Sequence, residues 1–81
     1  MFYVYILKSE KKSIFYVGQT ENLDIRVSRH NSGFEPFTSK WTPWKLVWFC
    51  TKQSRVAAIQ LEKKLKNLSP ARIERFIQKY A

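Results

Sequence analysis

Residues 2–9 read FYVYILKS and residues 14–19 read IFYVGQ, with only the polar stretch EKKS between them. Alternation in the first run puts Phe2, Val4 and Ile6 on one side and Tyr3, Tyr5 and Leu7 on the other. That period of two, in residues that favour extended backbone, is the mark of a strand. Two such runs joined by a short polar turn predict an antiparallel hairpin over residues 2–18. Gly18 ends the second run; a glycine there signals a bend or the close approach of another group to the backbone. A hairpin at the start of a short chain commits the fold to an antiparallel sheet, and the remaining elements must cover it.

The rest of the sequence supplies that cover. Thr20 or Asn22 is placed to cap a helix, with Leu23 and Val27 as a thin apolar stripe and Gly33 as the residue that closes it. Residues 34–44, FEPFTSKWTPW, hold two prolines and no period, and are expected to form a loop. KLVWFCTK is a third strand; its unbroken apolar run predicts a central or well-covered position. Ser54 caps a helix over residues 54–68, whose inner stripe is Ala58, Leu61, Leu65 and Leu68. Ser69-Pro70 is a cap followed by proline at the first helical position. Ile73, Phe76, Ile77 and Tyr80 then follow the spacing of an amphipathic helix. The expected order is ββαβαα, an α/β (α+β) fold in which a three-stranded antiparallel sheet is flanked by helices. With 81 residues, one small domain over 1–81 accounts for the chain. A domain of this size buries only about 60% of its unfolded surface, which explains its dependence on six Phe, four Tyr and three Trp.

Fifteen Lys and Arg oppose six Asp and Glu, a formal charge of +9. Such an excess points to a polyanionic partner, most often nucleic acid. No helix pairs a broad apolar face with a Trp-bearing basic edge, so a membrane surface is not the expected partner. No run approaches the roughly 20 apolar residues of a membrane span, and no signal peptide precedes the first strand, which makes the cytoplasm the expected compartment. Cys50 is the only cysteine. It excludes an internal disulfide and, in the run LVWFC, reads as a buried thiol.

Tyr3-Val4-Tyr5 followed by Tyr16-Val17-Gly18 resembles the paired signature of the GIY-YIG nuclease superfamily, with ten residues between Tyr5 and Tyr16. Arg26 matches the family's helical arginine, His30 the position one turn later, and Glu62 the metal-binding glutamate. The HNSG…PWKLVWF stretch and the LEKKLK helix resemble the small stand-alone members, the UPF0213-like proteins and relatives of the UvrC N-terminal domain. Tyr3 stands where the signature has its first glycine, Val4 and Val17 where it has isoleucines, and Gln19 where some members carry lysine.

The resemblance implies a divalent-metal-dependent DNA endonuclease, with Tyr5, Tyr16, Arg26, His30 and Glu62 as catalytic residues and Glu62 holding Mg²⁺ or Mn²⁺. The chemistry of those side chains is compatible. Phosphodiester hydrolysis needs a group to take a proton from water, positive charge at the phosphoryl oxygens and support for the leaving oxygen. A phenol, with a pKa of about 10, is a poor base unless a nearby cation stabilises its phenolate. Arg26 and His30, four apart, share a helix face, and a guanidinium offers phosphate two parallel hydrogen bonds. Each residue also has a plainer role open to it: a cross-strand tyrosine pair, an arginine paired with Asp24 or Asn22, a histidine at a helix end, and a Glu62–Lys66 ion pair.

Gln19, Arg29, Lys40, Trp41 and Lys63 are the candidates for contact with nucleic acid, through the backbone and with little sequence preference. Trp44, beside Pro43, belongs to the core. Pairing of two copies as a weak homodimer stays open. So does a rival reading, a non-catalytic nucleic-acid-binding module that keeps the fold.

Overall fold

The computed structural model describes residues 1–80. Its elements are β1 (Phe2–Ser9), β2 (Phe15–Thr20), α1 (Leu23–Asn31), α2 (Pro36–Ser39), β3 (Trp44–Lys52), α3 (Arg55–Lys66) and α4 (Pro70–Tyr80). The strands form one antiparallel sheet in the order β2-β1-β3. The expected α+β arrangement with its hairpin is therefore the observed one.

The helix starts follow from local chemistry. The Asn22 side chain accepts the Ile25 amide at 3.2 Å and Ser54 accepts that of Ala57 at 3.1 Å, each satisfying an amide that the first turn leaves free. Thr20 accepts the Asn22 amide instead of capping α1 itself. Gly33, beyond the C-cap Ser32, has φ +80°, the left-handed conformation that glycine adopts without strain.

The alternation of β1 divides the core in two. Val4 and Ile6 join Val17, Ala58, Leu65 and Ile73 beneath α3 and α4. Tyr5 and Leu7 join Trp44, with Tyr16, Leu23 and Val27 around them, on the side of α1.

Two expectations are corrected. Residues 34–44 are not wholly loop: Pro36, at the first helical position, starts the single turn α2. β3 is not central. It pairs only with β1 and lies at a sheet edge, with Phe49 half exposed. Its apolar run has another cause. Ile6 pairs with Trp48 but Leu7 pairs with Leu46, leaving Val47 as an extra residue. This bulge turns the first half of the strand over. Trp48 and Cys50 pack towards α3 and α4, while Leu46 and Trp44 pack towards α1. A strand that serves both layers needs apolar residues at successive positions.

Cys50 is half-buried and unpaired, and burial pushes its thiol pKa up. No helix among the described residues is long and apolar enough to cross a membrane.

Candidate active site

Tyr5 projects from the central strand and is fully buried. Its register partner on β2 is Gly18. A Cβ built on Gly18 would lie 2.5 Å from the Tyr5 hydroxyl and 2.7 Å from the ring carbon that bears it. The glycine is thus required by the close approach of the phenol, which lies where a side chain would stand.

The Tyr5 hydroxyl is 2.9 Å from His30 Nε2, and His30 Nδ1 is 2.8 Å from Thr38 Oγ1. Thr38 Oγ1 in turn donates to the Glu35 carbonyl at 3.4 Å. That carbonyl can only accept, and this fixes the direction of the chain. Thr38 gives its proton to Glu35, so its oxygen receives Nδ1–H. Nε2 then carries the lone pair, and Tyr5 donates to it. His30 is itself fully buried. Its pKa is lowered by burial first and then by the charge of Arg26; Glu35 opposes this, and Arg29 adds a smaller lowering effect. That shift favours the neutral imidazole, in keeping with the hydrogen-bond chain.

Burial first, then Tyr16, push the Tyr5 phenol well above its ordinary value, against the opposing charge of Arg26. Tyr5 is therefore a proton donor to His30. Tyr16, opposite Leu7 on the edge strand, is half-buried. Its ring centroid lies 4.8 Å from that of His30 and 6.4 Å from that of Tyr5. Of the two tyrosines it is the one with access to solvent.

Arg26 comes from α1. Its partner is neither Asp24 nor Asn22 but Glu35, whose Oε1 is 3.6 Å from Arg26 Nε and 3.5 Å from Arg29 Nε. The first distance is too long for a hydrogen bond. Among the described residues, Arg26 Nε is the buried side-chain polar atom left without a hydrogen-bond partner.

Glu62 stands on α3, the helix that packs on the opposite layer, and its charge is the weakest of those acting on Tyr5. The side chain is only 18% exposed, and Oε2 is 3.1 Å from Lys66 Nζ. Lys66 also lies 6.0 Å from the centre of the Tyr16 ring, which ties the Glu62 turn of α3 to the β2 edge. Among the described residues, no group of three His, Cys, Asp or Glu could cage a metal ion. One hard carboxylate fits Mg²⁺ or Mn²⁺ when waters and substrate phosphate complete the shell. The donor set thus suits a loosely held ion, and Lys66 is its competitor for Glu62.

The other candidates are dispersed. Gln19 pairs with Val4, so it faces the α3 layer and not the tyrosines. Arg29 is engaged with Glu35 and lies over the Phe34 ring. Lys40 and Lys63 are exposed. Trp41 packs against the Tyr5–Leu7–Trp44 cluster, with Lys12 4.9 Å above its ring, so it does not stand free for stacking on a base.

Three contributors were not foreseen from sequence. Thr38 orients His30. Trp44 Nε1 donates to the Thr38 carbonyl at 2.7 Å. The Asn31 amide pins β3 by accepting from the Trp44 N–H at 2.6 Å and donating to its carbonyl at 3.0 Å. Only the polar residue types themselves hinted at them; the contacts span six to 13 residues of an aperiodic segment.

Comparison with known proteins agrees with this geometry. The family model described as the GIY-YIG catalytic domain matches residues 1–79. A UPF0213 protein of Natronomonas pharaonis is 37% identical over 76 residues, covering 93% of this chain and 88% of the relative. One from Clostridium perfringens is 39% identical over 70 residues, covering 85% and 74%. The solution NMR structure of a UPF0213 protein from Bacillus halodurans superposes with a TM-score of 0.61 at 31% identity, covering 96% of this chain and 84% of that one. On these matches the chain belongs to the GIY-YIG family, in its UPF0213 branch.

Proposed function

We propose that the protein is a divalent-metal-dependent endonuclease that hydrolyses phosphodiester bonds of DNA. The observation that carries this reading is the gathering of Tyr16, His30, Tyr5 and Arg26 on one side of the sheet, with a buried guanidinium nitrogen awaiting an acceptor. Nuclease-type function is what the family implies; the roles below are assigned from the geometry.

Arg26 would bind the scissile phosphate, its unpartnered Nε–H supplying one bond of a charge-assisted pair. Tyr16 is the phenol that can reach water: its own proton would pass to bulk solvent, and the resulting phenolate would orient the attacking water and accept its proton as negative charge builds on the phosphoryl oxygens. Tyr5 and His30 would hold the Tyr16 ring and its surroundings fixed, since both are buried and bonded to each other. Glu62 would hold the Mg²⁺ or Mn²⁺ ion, whose chemistry when bound is to neutralise charge on the leaving oxygen.

The test is nicking of supercoiled plasmid by purified protein with Mg²⁺ or Mn²⁺. Tyr16→Phe, Arg26→Ala and Glu62→Ala should each lower the single-turnover rate by about 100-fold or more. The Glu62–Lys66 pair favours a second reading, a binding module in which the lysine permanently takes the cation's place. Duplex binding that is unchanged in Glu62→Ala, with no nicking by the parent protein at any metal concentration, would establish that reading instead.

A further inference from the structure

Gln19, a candidate for contact with nucleic acid, faces the layer opposite the tyrosines. There it lines a hollow of about 460 Å³ at the end of the sheet where β2 leads into α1. The same hollow is lined by Arg26 from α1 and Arg55 from the first turn of α3. Two arginines and Gln19, from three separate elements, therefore line one space together with a single carboxylate residue, Glu21.

Each is prepared for an acceptor in a different way. Arg26 Nε is buried without a hydrogen-bond partner. The Arg55 guanidinium lies 5.1 Å from the centre of the Phe2 ring, which supports it on one face and leaves its edge donors available. Its acidic neighbour is Glu21, at 3.6 Å, and the two side chains are 60% and 67% exposed. A solvated pair at that distance contributes little and gives way readily to a phosphodiester anion. The first amides of α3 add partial positive charge at the same end of the helix.

The donor set identifies the ligand class: two guanidiniums and an amide offer several N–H groups to phosphoryl oxygens. Gln19 lies three residue positions beyond Tyr16, about 10 Å along β2. Successive phosphates of a DNA strand wind about the duplex axis as well as rising about 3.4 Å per step, so the phosphate that matches this separation is a near neighbour on the same strand. Resting on the nuclease reading for the neighbouring site, we propose that Gln19, Arg26 and Arg55 form a second phosphate subsite. It holds the DNA backbone a few nucleotides from the bond to be cut, with Arg26 shared between the two positions. Arg55 is then a positioning residue: it fixes the register of the strand across Tyr16 without touching the reacting atoms.

The test uses a fluorescein-labelled 20-bp DNA duplex in EDTA, so that binding is read apart from hydrolysis. Arg55→Ala should weaken binding by about 5–10-fold at low salt and reduce the slope of log K against log salt by about one. Gln19→Lys, which adds a cation to the hollow, should tighten binding and steepen the slope by about one. Arg75→Ala, on the exposed side of α4, is the charge-matched comparison and should leave the slope nearly unchanged. Inorganic phosphate alone should shift the NMR signals of the Arg55 guanidinium and the Gln19 amide in a saturable way.

Equal effects of Arg55→Ala and Arg75→Ala would overturn the subsite, because the loss would then be one of net charge. Nicking by the parent protein with duplex affinity unchanged in Arg55→Ala and Gln19→Lys would overturn the subsite and leave the nuclease intact. No nicking at all, with the expected binding shifts and phosphate response, would overturn the nuclease and leave the subsite.

Discussion

The Tyr5 phenol lies over Gly18 and gives its proton to a buried imidazole, and three predictions belong to this contact. Gly18→Ala places a methyl group within 3 Å of a ring that cannot swing away, because Tyr5 is fully enclosed and bonded to His30. Overpacking of this kind costs about 1–3 kcal/mol, to be read as a lower urea midpoint at unchanged m-value. Tyr5→Phe leaves His30 Nε2 buried without its donor and should cost about 1–3 kcal/mol. Tyr16→Phe should leave stability within about 0.5 kcal/mol, because no hydrogen bond of the Tyr16 hydroxyl is broken. Equal costs for the two tyrosines would contradict the division of labour drawn between them.

The third prediction concerns pH. His30 is held below its ordinary pKa in the folded state. The unfolded chain therefore takes up a proton near pH 6.5 that the fold still refuses, and stability rises with pH through that region. It should be fully present above pH 6.5 and decline towards pH 5, by no more than about 1.4 kcal/mol per unit from this one group. His30→Gln should flatten that decline in urea titrations at stepped pH; an unchanged slope would place its origin elsewhere. The tyrosines, Arg26, His30 and Glu62 are singled out in the sequence by the family resemblance, and their roles belong to the proposal. Thr38 and Glu35 are not singled out there, because their importance arises only when α2 folds back onto α1.

At the scale of elements, the site depends on how β3 enters the sheet. The expectation of a central strand failed because an apolar run was read as two covered faces. In fact the Val47 bulge sends successive stretches of the strand to opposite layers. Trp44 is thereby placed where its indole can hold the Thr38 carbonyl, and Thr38 in turn fixes the His30 tautomer. The tie that secures this entry is Asn31, the last residue of α1, which bonds both main-chain groups of Trp44. Helix starts were legible because a cap is a local event; this clamp was not, because it joins residues 13 apart across an irregular segment. Asn31→Ala should cost about 1–3 kcal/mol, and its distinguishing sign should be local. Hydrogen exchange at the Trp44 amide should accelerate more than exchange at the Val4 or Ile6 amides in β1. Uniform acceleration along both strands would mean that Asn31 supports the whole sheet and not the docking of β3 on α1.

At the scale of the molecule, the charge of +9 has to be reconciled with a body whose extents are 30 × 27 × 19 Å. The longest dimension covers about nine base pairs of duplex at 3.4 Å each. The cations are not gathered on one side. Lys63 and Lys64 project from α3, Arg72, Arg75 and Lys79 from α4, and Arg26, Arg29 and Arg55 lie about the candidate site. A single duplex cannot meet all of them at once. If binding is centred on Arg26, as the buried donor there requires, only about three to five phosphates are neutralised. Each contributes about −0.9 to the slope of log K against log salt, so the slope should fall between about −2.7 and −4.5, far short of what the net charge would give. Fluorescence anisotropy across 50–300 mM salt measures it. A slope near −8 would mean that the duplex is wrapped by cations from both layers of the sheet. A slope near zero would mean that the positive charge serves no polyanion, and the assignment of Arg26 to a phosphate would fall with it.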